Sequence, residues 1–173
     1  LKEKNNNPQG LKLGDPVKKI VFNNVFFHYT QQKDWTINNY SRSFETDKIN
    51  YLIGKNGTGK STMFYLLLGM LTPQKGEIII YTDKGGYNLE ELNLNHWRES
   101  NISYCSHQTL VKEGSTGQKQ LANIGKILTE KVNSSLWLFD ESDNALDKEN
   151  QENFNQQIDN LVKSGKLVIR IKH

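Results

Sequence analysis

The stretch GKNGTGKST, Gly54 to Thr62, constrains this chain more than any other part of it. It satisfies the pattern G-x-x-x-x-G-K-[ST] and follows a short apolar run, INYLIG, that reads as a strand ending at Gly54. The run after it, KSTMFYLLLGML, reads as a helix buried on most faces and ended by Thr72 and Pro73. Glycines at 54, 57 and 59 let the backbone turn tightly and aim successive N–H groups inward, which makes a nest for an anion. The helix opening near Lys60 adds its positive end at the same point. Lys60 can reach β- and γ-phosphates, and the hydroxyl of Ser61 can ligate Mg²⁺. Gly54, Asn56, Gly57, Thr58, Gly59, Lys60, Ser61 and Thr62 are therefore the candidate residues of a nucleoside triphosphate site.

The rest of the chain fits around this loop. VKKIVFNNVFFHYT is β-rich, and WTINNYSRSFE reads as a second strand antiparallel to it. GEIIIYT and NISYCSHQ are further strands, Asp83 to Leu92 a polar turn or loop, and Leu94 to Glu99 a short helix. A helix runs from Gly117 to about Val132. LWLFDE is a continuous apolar run of the kind found in strands covered on both faces. KENQENFNQQIDNLVKSG is an amphipathic helix with Phe154, Ile158, Leu161 and Val162 on one side and Gly165 as its stop, and KLVIRIKH is a last buried strand. Strands alternating with helices predict an α/β fold, a mainly parallel sheet with flanking helices, plus an antiparallel β layer at the amino end. Residues 1–16, with KNNNPQG, Pro8 and Gly10, read as a flexible leader, either a frayed terminus or a linker.

Composition narrows the function classes. A net charge of +3 with scattered basic residues gives no reason to expect nucleic acid as a partner. One cysteine, Cys105, excludes an internal disulfide and fits a reducing compartment. No run approaches the roughly 20 apolar residues of a membrane span, so a membrane role would be played through a partner or fused segment.

Asp140 and Glu141 stand where the apolar run LWLFDE ends. Ligands of open α/β sheets bind at the carboxyl ends of parallel strands, which puts this pair beside the phosphates. Asp140 would then hold Mg²⁺, directly or through water, and Glu141 would polarise an attacking water as general base.

The loop, the acidic pair and GSTGQKQLANIGKIL, Gly114 to Leu128, together resemble the ATP-binding cassette (ABC) ATPases, in order through most of the chain. The resemblance implies an ATP-hydrolysing domain at 17–173 that uses ATP and Mg²⁺. It would power a membrane transporter from the cytoplasmic face, and the aromatic-rich first strand and the leader suggest the exporter type. Tyr29 falls on the aromatic position that stacks on adenine, and Gln108 on the Q-loop residue near Mg²⁺ and the attacking water. Asp147 closes a D-loop, NALD, and His173 matches the switch histidine that reaches the γ-phosphate. Ser115, Gly117 and Gln118 fall on the second, fourth and fifth positions of the family signature LSGGQ. In this family the signature closes over ATP held by the phosphate loop of a second nucleotide-binding domain, so two ATPs lie between head-to-tail domains. A transmembrane domain is the other implied partner.

The chain departs from the family pattern in four places. Family members carry a helical subdomain between Q-loop and signature, where this chain has only TLVKEG, Thr109 to Gly114. Natural loss or an omitted segment would both account for this, and so short a bridge favours omission because the signature could not rotate as a unit. Thr116 replaces a family Gly, and Ser142-Asp143 replace the common Pro-Thr. The chain also stops at His173, where the family continues, as a truncated carboxyl end would. A soluble ABC ATPase acting in translation or DNA repair, and a degenerate cassette that only binds ATP in a regulatory role, are the alternative readings.

Overall fold

The computed structural model describes residues 7–55, 57–106, 125–140 and 146–172. Its strands form two sheets. The antiparallel one has the order β2-β1-β4-β5, with β1 Lys19–Phe27, β2 Ile37–Glu45, β4 Lys75–Thr82 and β5 Gly85–Asn88. The parallel one has the order β3-β8-β7-β6, with β3 Ile49–Ile53, β6 Ile102–Ser106, β7 Leu136–Asp140 and β8 Leu167–Lys172. The helices are α1 Lys60–Leu67, the single turn α2 Leu94–His96, and α3 Lys148–Lys163, with a further helical stretch at residues 125–130. The α/β architecture with separate parallel and antiparallel sheets is the one expected. The antiparallel layer is not confined to the amino end, since β4 and β5 join it from beyond α1.

The parallel sheet is covered on both faces, and its two-residue period sorts the side chains. Leu136, Leu138, Leu167, Ile169 and Ile171 point into one core with Phe22, Phe44, Leu52 and Phe64. Trp137, Phe139 and Val168 point the other way, onto Phe154 and Ile158 of α3. These two fully buried residues, each contributing about 1.5–3 kcal/mol, anchor the helix to the sheet. Leu161 and Val162 pack at the edge of the same cluster. Gly165, at φ 85°, lies just past the end of the helix.

Register decides where the site forms. Ile53 pairs with Lys172, Ile171 with Asp140, and Asp140 with Ser106. All four parallel strands therefore end at one edge, from which the phosphate loop follows β3.

Three expectations give way here. Asp83 to Leu92 is not simply loop, because Gly85–Asn88 pairs with β4. A Cβ on Gly86 would lie 2.7 Å from the ring of Tyr81, so the glycine that weakens the strand signal is what lets the hairpin close. α1 ends at Leu67 instead of running to Thr72-Pro73, with Gly69 at φ 68° and packed under Leu94. Within the leader, residues 7–16 are docked: Leu13 is buried, Leu11 bridges Leu92, and the side chains of Asn93 and Asn101 donate to the carbonyls of Pro8 and Leu13. Backbone hydrogen bonds and one buried leucine offset the low apolar content that suggested disorder. Of the helix expected from Gly117, only its later part at residues 125–130 lies within the described residues.

Candidate nucleotide and metal site

The loop after β3 adopts the conformation its glycines suggest. Gly57 and Gly59 have φ of 80° and 85°, and Gly59 is the residue from which α1 starts. Gly59 has no side chain to cap that helix, and a helix amino terminus can present its leading N–H groups to an anion. The loop rests on the start of β2: a Cβ on Gly59 would lie 2.7 Å from Ile37 Cδ1 and 2.9 Å from the carbonyl oxygen of Thr36. Gly59→Ala therefore combines left-handed strain with a backbone collision, together above about 2 kcal/mol. For a domain of this size that lowers Tm by roughly 4–8 °C, to be read by calorimetry. An unchanged Tm would contradict this loop geometry.

Within the loop, the hydroxyl of Thr58 donates to the carbonyl of Lys55 at 2.8 Å. The Lys60 side chain is almost wholly buried, and its ammonium donates to the carbonyls of Gly54 and, at 3.0 Å, Lys55. A cation is thus held at the mouth of the nest by the loop's own backbone. Across the loop, the Ser61 hydroxyl lies 3.4 Å from Asp140 Oδ2 at the end of β7. The phenol of Tyr104, on β6, lies 3.5 Å from the same oxygen. Burial, and next the negative charge of Asp140, hold the Tyr104 hydroxyl well above its usual pKa, so it stays protonated and can only donate to the carboxylate. Burial pushes the neighbouring Cys105 thiol up to about 12, which leaves it inert as a nucleophile.

The donor set fits what such a site would bind. A hydroxyl and a carboxylate are hard oxygen donors suited to Mg²⁺. Among the described residues no cluster of three or more His, Cys, Asp or Glu forms a dedicated metal cage. A cation at Ser61 and Asp140 would complete its shell with water and phosphate oxygens, the usual arrangement for Mg²⁺ bound with a nucleotide.

The structure places Ser61 beside Asp140, with Lys60 and Thr62 next to Ser61 at the start of α1. Tyr29 joins them through a hydrogen bond of 3.0 Å between its hydroxyl and Thr62, while its ring packs edge-on against Phe27. Asp147 is engaged differently: it caps α3, its two carboxylate oxygens accepting from the backbone N–H and side-chain amide of Asn150 at 2.9 and 3.0 Å. Asn56, Gln108, Ser115, Gly117, Gln118, Glu141 and His173 lie outside the described residues. Tyr104 is the site residue that sequence reasoning missed. Its signal was a tyrosine near the end of an otherwise buried strand, whose hydroxyl must find a partner.

Comparison with known proteins gives a consistent answer. A family model described as ABC transporter matches residues 37–158. The chain is similar to Multidrug resistance protein 1 of Plasmodium falciparum (isolate 3D7), at 36% identity over 107 residues, covering 61% of this chain and 7% of that protein. It is also similar to the energy-coupling factor transporter ATP-binding protein EcfA1 of Mycoplasmoides gallisepticum, at 27% identity over 199 residues, 89% of this chain and 69% of the relative. An ATP-dependent lipid A-core flippase of Haemophilus influenzae (strain 86-028NP) is 26% identical over 214 residues, covering 95% of this chain and 35% of the flippase. The last two matches are longer than the chain itself, so these relatives hold additional residues inside the matched stretch. Among solved structures, a bacterial Atm1-family ABC exporter with ATP bound shares the fold, with a TM-score of 0.76 and 18% identity over 99% of this chain and 37% of the exporter chain.

Proposed function

Because this chain belongs to the ABC transporter family, we propose that it is the ATP-binding and ATP-hydrolysing domain that powers a membrane transporter. The observation that carries this reading is the meeting of Ser61 and Asp140 across the mouth of a glycine-rich loop, with the Lys60 ammonium behind them.

The loop N–H groups and the start of α1 bind the phosphates, and Lys60 exchanges its carbonyl partners for β- and γ-phosphate oxygens. Ser61 and Asp140 hold Mg²⁺, which when bound neutralises charge on the phosphate oxygens. Tyr29 provides the adenine contact. Glu141, which follows the last residue of β7, takes the proton of the attacking water, and Gln108 and His173 orient water and γ-phosphate. Ser115, Gly117 and Gln118 serve a second nucleotide-binding domain, closing on ATP held by that domain's loop, with Asp147 near the junction. Closure is a population shift, and the differential affinity of ATP for the closed pair is what a transmembrane partner can use.

Among the described residues no helix is long and apolar enough to cross a membrane. Attachment at the cytoplasmic face would run through a separate transmembrane domain or a fused segment. The connection between Gln108 and Ser115 is shortened relative to the family, a reading supported by the additional residues that relatives hold within the matched stretch.

The test uses the full chain: ATP-dependent phosphate release in Mg²⁺, and light scattering with and without Mg-ATP. Phosphate release together with an ATP-dependent dimer is expected. Nucleotide binding without either would reduce the domain to passive occupancy.

A further inference from the structure

Asp140 is served by two hydroxyls from different elements, and only one belongs to the phosphate loop. Tyr104 pairs in register with Leu138, two residues before Asp140, so Leu138 and Asp140 share a face of β7 and the Tyr104 phenol reaches along it. On its other side the Tyr104 ring packs edge-on against Phe64, with centroids 6.1 Å apart. Phe64 is fully buried and lies three residues, or nearly one helical turn, after Ser61 on α1. Tyr104 therefore stands between the helix that carries Ser61 and the strand that carries Asp140, touching both.

We propose that Tyr104 is a positioning residue for the metal-binding carboxylate of Asp140, its ring setting the spacing of α1 against β7 and its phenol fixing the carboxylate rotamer. This rests on reading the site as one for Mg²⁺ with a nucleotide. The Ser61 hydroxyl can donate to Asp140 while a lone pair of its oxygen ligates the cation, and Tyr104 is a second, independent donor to the same carboxylate oxygen, supplied from β6 and not from the phosphate loop.

Tyr104→Phe keeps the ring on Phe64 and removes only the hydroxyl, which separates the two parts of the role. The readout is Mn²⁺ affinity, by electron paramagnetic resonance, of the full chain saturated with a non-hydrolysable ATP analogue. Analogue affinity in a chelator and Tm are measured alongside. Tyr104→Phe should weaken Mn²⁺ about three- to tenfold, less than a well-formed hydrogen bond to a charged group would give because the observed contact is long. Analogue affinity without metal should be unchanged. Tyr104→Leu, which also removes the ring, should weaken Mn²⁺ further and lower Tm. Equal Mn²⁺ affinity in wild type and Tyr104→Phe would overturn the proposal, as would a loss confined to Tyr104→Leu, which would leave packing alone. A wild type that binds the analogue but no Mn²⁺ would instead remove the parent reading of Ser61 and Asp140, and this inference with it.

Discussion

Glu141→Gln is expected to leave ATP binding intact, to slow hydrolysis by about 10²–10⁴, and to hold two copies of the domain together in Mg-ATP. The amide has the shape of the carboxylate but cannot accept the proton of an attacking water, so the chemical step is lost while the phosphate contacts are kept. β7 delivers the preceding residue, Asp140, to the edge where Ser61 lies, so Glu141 follows directly in sequence from the strand end that meets Ser61. If closure over ATP joins two domains and hydrolysis reopens them, a slowed chemical step accumulates the closed pair. Light scattering with Mg-ATP and with Mg-ADP makes the comparison. A variant that binds ATP yet remains monomeric would remove the head-to-tail arrangement. One that hydrolyses at the wild-type rate would remove Glu141 as the base.

Lys60→Ala is expected to act on binding itself. The buried ammonium is held over the loop's own carbonyls, and hydrogen bonds to charged groups contribute about 1.5–3 kcal/mol each. Loss of a single such contact to phosphate weakens ATP by roughly ten- to a hundredfold, and hydrolysis at subsaturating ATP falls in parallel. AMP lacks the β- and γ-phosphates and should bind wild type and variant equally. Calorimetric titration with ATP and AMP reads the difference. Equal ATP affinities would mean that Lys60 only stitches the loop together. Equal losses for ATP and AMP would mean that the loop had collapsed.

The two variants separate the parts of the site by the kind of information that specifies them. The phosphate loop is legible because its chemistry is local: left-handed glycines, a lysine and a hydroxyl within nine consecutive residues, between a strand and a helix. The acidic end of β7 is legible because a continuous apolar run identifies a strand buried on both faces. Tyr104 was not, because a tyrosine on a strand reads as packing until its hydroxyl has a partner, and that partner lies on another strand. Asp147 carried two signals at once. An aspartate directly before a polar, periodic helix is an N-cap, and that is the role its carboxylate plays towards Asn150. β5 was hidden by Gly85 and Gly86, whose low strand propensity outweighs a pairing that depends on β4.

What this sequence determined by itself is therefore what short-range physics can specify: the anion nest, the two buried strands and the amphipathic stripe of α3. Each depends on the identity and spacing of neighbouring residues. The tertiary structure decided the order β3-β8-β7-β6, the common edge at which those strands end, and the convergence of Ser61 and Tyr104 on one carboxylate oxygen of Asp140. Those depend on pairing between residues far apart in the chain, and pairing energies are settled only when every strand competes for the same core.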